Sequence, residues 1–197
     1  MGRPSREGVL RLAYMYKLAR LVGDEWVEHS HPPVYRAVQS HSGTWRVVAG
    51  VPSREVIPFE RLVLALEPPY LLLYVLHTPR GEGEAGRYQS TPFEAESFRT
   101  LLTRFGSYFT SDARFDLWAH SPTDRATVVW DRHNQLFGYG PVERFAEELR
   151  KLGYSEGDVV VPVPHQHHYR AEFDPQATDI LRSIEWSRSP LLAEDEQ

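Results

Sequence analysis

The sequence predicts an α+β fold whose antiparallel sheet has a ferredoxin-like, split βαβ core, and three observations lead there. From Tyr70 onward, apolar residues switch between period two and period 3.6 in the order strand, helix, strand, strand, helix, strand. Turn and cap residues fall at the switches: Glu67-Pro68-Pro69, Thr91-Pro92, Gly140-Pro141 and Gly153. A chain of 197 residues that is 41% hydrophobic and 12% aromatic carries enough apolar mass to close a core as one domain.

Residues 1–67 read as an N-terminal extension, a helix followed by a β-hairpin. The helix is expected over residues 5–22, because Leu12, Met15, Tyr16, Ala19 and Val22 share one helical face. His29-Ser30-His31-Pro32-Pro33 ends it. Val34–Gln39 and Thr44–Ala49 then alternate as two strands around a turn that contains His41.

The core covers 68–170. Tyr70–His77 is an apolar strand, too short at seven or eight residues to cross a bilayer, which takes about 20. Thr91-Pro92-Phe93-Glu94 carries the pattern of a capping box opening a helix with Phe98, Leu101, Leu102, Phe105, Tyr108 and Phe109 inward. Strands are expected near 114–120, 126–131 and 135–139. A helix from Gly140-Pro141 to Gly153 buries Val142, Phe145, Ala146, Leu149 and Leu152, and Val159–Val161 is the last strand. Residues 171–197 add a helix opened by Asp174-Pro175, with Ile180, Leu181 and Ile184 inward, and a tail.

Charge and composition exclude several chemistries. Without cysteine there is no disulfide framework, thiol nucleophile or cysteine metal ligand. A net charge of −5 argues against a dedicated nucleic-acid binder. The charge is unevenly spread: the first twenty residues carry +4 and the rest −9. No apolar leader or spanning segment is visible, so a cytoplasmic protein without membrane contact is expected. Gly81-Glu82-Gly83-Glu84-Ala85-Gly86 spells a dinucleotide-binding pattern, but five residues separate it from the next helix and two glutamates would repel phosphate. A mobile loop or lid is the expected reading. Walker, nucleophile-elbow and HExxH motifs are absent.

Histidine is where the sequence departs from the ordinary. Pro164-His165-Gln166-His167-His168-Tyr169-Arg170 places His165 and His167 on one face of an extended chain and His168 on the other. Asp131-Arg132-His133 offers a second oxygen/nitrogen pair at the same spacing. If the strands near 130 and 160 are close, Asp131, His133, His165 and His167 form a site for one divalent transition metal, since imidazole and carboxylate donors suit such ions. Arg132, His168, Tyr169 and Arg170 are candidate contacts for a ligand or partner. Against this, Asp-Arg-His-Asn is good turn chemistry by itself. His29 and His31 read as surface residues unless their segment folds over the cluster. Trp118 and Trp130 each alternate with an aliphatic residue and are expected in the core.

Two functions follow. One is a small non-catalytic binding protein recognising a protein or small ligand, immunity- or inhibitor-like in acting on a basic partner. The alternative is a mononuclear metal-dependent enzyme, hydrolase or oxygenase, in which Arg132 or Arg170 steadies an anionic substrate and His168 moves a proton.

Overall fold

The computed structural model describes residues 15–40 and 43–196. Within them the fold is mixed α+β and mostly sheet. It contains β1 Leu18–Val22, β2 Glu25–Glu28, β3 Val34–Gln39, β4 Trp45–Gly50, α1 Ile57–Leu64, β5 Leu71–Leu76, β6 Gly86–Ser90 and α2 Ala95–Ser111. There follow β7 Phe115–Ser121, β8 Ala126–Trp130, β9 Gln135–Tyr139, α3 Val142–Lys151, β10 Ser155–Glu156, β11 His165–His167, α4 Asp174–Ser183 and β12 Trp186–Ser189.

Alternation drives the main sheet. In β7, Phe115, Leu117, Ala119 and Ser121 are buried while Asp116, Trp118 and His120 face the other way, and β9 alternates likewise. Nine strands align in the order β10-β3-β4-β9-β8-β7-β5-β6-β12. The inward residues meet α1, α2 and α3: Phe59 of α1 packs on Trp130 and on Phe98 of α2, and Phe145 of α3 lies on Gly138. The expected stripe of α2 is buried throughout.

The strand order is not the expected split βαβ order. The strand Leu71–Leu76 pairs directly with Phe115–Ser121, whereas the ferredoxin-like arrangement would keep those two strands apart. A split crossover does occur, from β6 through α2 to β7, with β5 between these parallel strands. Its first strand, Gly-Arg-Tyr-Gln-Ser, has too little apolar alternation to be read from sequence.

Other expectations shift locally. Leu18–Val22 is a strand, because residues 18–22 find a partner ladder on each side in a second, three-stranded sheet ordered β11-β1-β2. The remainder of the expected helix, residues 5–14, and His41 lie outside the described residues. Helix α2 starts at Ala95 with no side-chain cap, since Phe93 instead exchanges two backbone hydrogen bonds with Tyr70 (2.7 and 2.8 Å). Val159–Val161 forms no strand, and chain after α3 pairs earlier, Ser155 and Glu156 running parallel to Val34 and Tyr35. Trp130 is core as expected, but Trp118 is not: Trp118 pairs with Val129 and Trp130 with Leu117, so the two indoles occupy opposite faces.

The loop before β6 is tied down rather than free. Glu82 is fully buried on Arg114 (3.0 Å), Arg80 pairs with Asp174, and Tyr88 donates to the Glu84 carbonyl. Arg114 also holds Asp112, Asp174 and the Arg170 carbonyl. The Arg170 amide donates to Asp112 in return (2.8 Å). This buried network fixes the chain just after β11. Breaking such a network strands carboxylates without a counter-charge.

Candidate metal centre

His133, His165 and His167 converge although 32 residues separate the first two in sequence. Their ring centres are 5.2 Å (133–165), 4.7 Å (133–167) and 5.2 Å (165–167) apart. One nitrogen from each lies within 4.8 Å of the other two.

The turn that presents His133 is built by Asp131. Its Oδ1 accepts the backbone amides of His133 (2.9 Å) and Gln135 (2.7 Å), the Asx-turn chemistry of a short acidic side chain. Asn134 closes the turn at φ +58°, a left-handed conformation that asparagine tolerates. The indole of Trp130 donates to its Oδ1 (3.2 Å). The remaining Asp131 oxygen, Oδ2, accepts from His133 Nδ1 at 2.9 Å. That bond selects the tautomer with a bare Nε2.

His165 and His167 come from β11, whose register on β1 sets Arg20 opposite His165 and Leu18 opposite His167. Their i, i+2 spacing puts both rings on one face. His165 Nδ1 donates to the Pro162 carbonyl (2.9 Å), which again leaves Nε2 bare. His167 Nε2 is buried with no hydrogen-bond partner. Burial first, and then the neighbouring His133 and His165, push its pKa down to about 3, so the ring is neutral at physiological pH. Neutral imidazole is the ligating form.

The spacing matches a coordinated ion. At a Zn–N bond of about 2.0–2.1 Å, a metal lies about 3.2 Å from each ring centre, and tetrahedral ligands then stand about 5.2 Å apart. Three donors leave at least one position open. Asp131, expected beside the three histidines, does not converge with them: its bonds run to the turn and to Nδ1, so it stands behind His133 and orients it.

The segment carrying His29 and His31 folds against the cluster rather than lying on the surface. Buried His31 donates from Nε2 to the His133 carbonyl (2.8 Å), and its ring contacts His29 edge-on. The His29 amide reaches the Leu18 carbonyl (2.9 Å), continuing the β1–β2 ladder. Burial holds His29 at about 4 and lowers His31 as well. Gly50 makes room, since a Cβ there would stand 2.7 Å from that of His31.

The other candidates are dispersed. His168 turns to the ring of Tyr16 (4.9 Å), away from the triad, and its backbone bonds to Lys17 and Ala113. Arg170 lies over the same Tyr16 ring. Tyr169 is 6.4 Å from His167, centre to centre. The Arg132 amide donates to Asp116, whose other oxygen faces His77 Nε2 at 3.0 Å. Sequence reasoning missed Lys17. It is fully buried, its ammonium has no hydrogen-bond partner and lies 4.4 Å from the Trp130 ring centre. Burial lowers its pKa to about 8 against the pull of Asp131, Asp116 and Asp112. One of only two lysines in the chain, it had no motif around it to give it away.

Fold and site together define an α+β protein with a three-histidine cluster between two sheets. Comparison with known proteins gives no matching family model, no matching curated protein and no matching solved structure. Among the described residues, no helix is long and apolar enough to cross a membrane.

Proposed function

We propose that His133, His165 and His167 bind one divalent transition metal, zinc by donor set, and that the chain is a mononuclear metal-dependent enzyme of hydrolytic type. The carrying observation is that the three rings converge with Nε2 left bare in two, because an oxygen holds Nδ1, and buried without a partner in the third. A structural zinc site fills all four positions, whereas three nitrogen donors leave room for water, whose pKa a bound zinc lowers towards 7. Asp131 supplies the orientation that such ligands require. A cytoplasmic setting belongs to the same proposal.

The test is metal analysis of tag-free protein, followed by cobalt substitution. About one equivalent of metal is expected, with a cobalt absorption spectrum that changes on adding azide, and loss of both in the His165→Ala/His167→Ala variant. A protein that takes up no metal, and whose melting is unchanged by the double substitution, overturns the proposal.

A second reading, recognition of a protein partner without catalysis, is favoured by one feature. Leu21, Val22 and Trp26 are 40, 50 and 43% exposed together on the β1–β2 hairpin, more apolar surface than a hairpin tip needs. Substituting all three by serine abolishes partner capture on this reading and leaves metal content unchanged.

A further inference from the structure

The face of the main sheet opposite the helices carries a cavity of about 590 Å³ that touches Asp131, the residue holding His133. Register lays its floor out in rows. Arg46, Tyr139 and Thr127 are aligned across β4, β9 and β8, and the next row holds Phe137, Val129 and Trp118. The third row is Asp131 and, on β7, Asp116. Thr127 and Asp131 are four residues apart, about 13 Å at about 3.3 Å per residue. The cavity thus has a cationic end, an apolar middle and an acidic end, where Asp131 stands on the Nδ1 side of His133.

The cationic end is what lacks a partner. Arg46 is half-buried, stacked over Phe137 (5.1 Å) and Tyr139 (5.6 Å), and donates only to the neutral Tyr139 hydroxyl (2.8 Å). It makes no ion pair with any described residue, and its Nε is buried without an acceptor. The Trp118 indole N–H, in the middle row, is likewise buried and unpartnered. The carboxylates of the cavity do not answer this need. Asp131 is spent on its turn and His133, and Asp116 has one oxygen on the Arg132 amide and the other 3.0 Å from His77 Nε2. Glu194 also lines the cavity. A planar guanidinium held flat on two rings is set up to take a carboxylate through its free edge.

We infer that this cavity is a binding site for small carboxylic acids with an apolar, aryl-sized body. The carboxylate sits at Arg46, the body on Phe137, Val129 and Trp118, and the far end points to Asp131 and Asp116. The inference goes beyond the metal-centre reading, and the binding it predicts is separable from it.

The experiment is calorimetric titration of the metal-loaded protein and of protein stripped with chelator. Its probes are 3-phenylpropionate, the neutral 3-phenylpropanamide and the cationic 3-phenylpropylamine. The acid is expected to bind both forms at sub-millimolar concentration, the amide at least tenfold more weakly, and the amine not at all. Arg46→Met should weaken the acid at least tenfold at unchanged melting temperature, and Arg46→Lys should recover part of that loss. Equal affinity for acid and amide, tighter binding of the amine, no binding of the acid, or wild-type affinity in Arg46→Met each overturns the inference. If the acid instead needs the metal and ignores Arg46, it is a metal ligand, and the cavity assignment fails while the metal centre stands. If no metal binds yet the acid does so through Arg46, the metal centre fails and the cavity stands.

Discussion

Replacing Asp131 by asparagine isolates the orientation of His133 from the supply of ligands. The two side chains have the same shape. Asparagine can keep its Oδ1 on the His133 and Gln135 amides, so the turn survives. What changes is the group facing Nδ1 at 2.9 Å, an acceptor replaced by an NH2 donor. The imidazole then avoids a donor–donor clash by moving its proton to Nε2, the nitrogen that a metal needs. Loss of such a supporting carboxylate costs about 10–100-fold in metal affinity. That range equals about 1.4–2.7 kcal/mol at about 1.4 kcal/mol per tenfold. The assay is competition for zinc against a chromophoric chelator at pH 7.5, with thermal melting of the stripped proteins as the control. Affinity within twofold of wild type, at an unchanged melting temperature, would refute the tautomer argument.

Three further outcomes follow from packing and burial. Arg114→Ala leaves Asp112 and Glu82 buried without their counter-charge, and urea unfolding should show a loss of about 3–5 kcal/mol. Lys17→Met removes a buried charge. In the wild type the folded pKa of about 8 lies below the ordinary 10.5, so the unfolded state binds the extra proton between those values and stability rises with pH across that window. In stripped protein the variant should therefore be more stable than wild type at pH 7, by up to about 3 kcal/mol, a gap that closes between pH 8 and 10.5. A gap that stays constant with pH would contradict it. Gly138→Ala places a methyl 2.7 Å from the Phe145 ring, and overpacking of about 1–3 kcal/mol should appear as a lower denaturant midpoint.

What the sequence disclosed follows from which interactions are local. Helices α2, α3 and α4, the β3–β4 hairpin and strands β5, β7, β8 and β9 write their burial into periodicity, and each lies close to its expected place. Strands β6, β10, β11 and β12 are short or polar. They exist because a neighbour offers an open ladder, and no period in their own residues announces that. The shared face of His165 and His167 was legible because His-x-His spacing forces it, and their approach to His133 depends on how β11 docks. Asp131 was legible as a member but not in its role: carboxylate and imidazole two residues apart can share an ion or hydrogen-bond each other, and only the turn geometry decides. His31 and Arg46 owe their roles to contacts 102 and 93 residues away, with His133 and Tyr139, which sequence spacing does not encode.

The three histidines belong to different sheets, His133 to the turn of the nine-stranded one and His165 and His167 to the edge of the three-stranded one. An ion shared by them is a clasp as well as a centre, closing a 32-residue loop as a crosslink would and fastening the β1–β2 hairpin to the body of the protein. Occupancy would then set a local stability: at a hundredfold excess of free metal over its dissociation constant, the docked arrangement gains about 2.7 kcal/mol. Amide exchange in Leu18–Glu28 should slow with metal while that of β7 and β8 stays as it was. The same three rings would report metal supply through the grip of one small sheet on a large one.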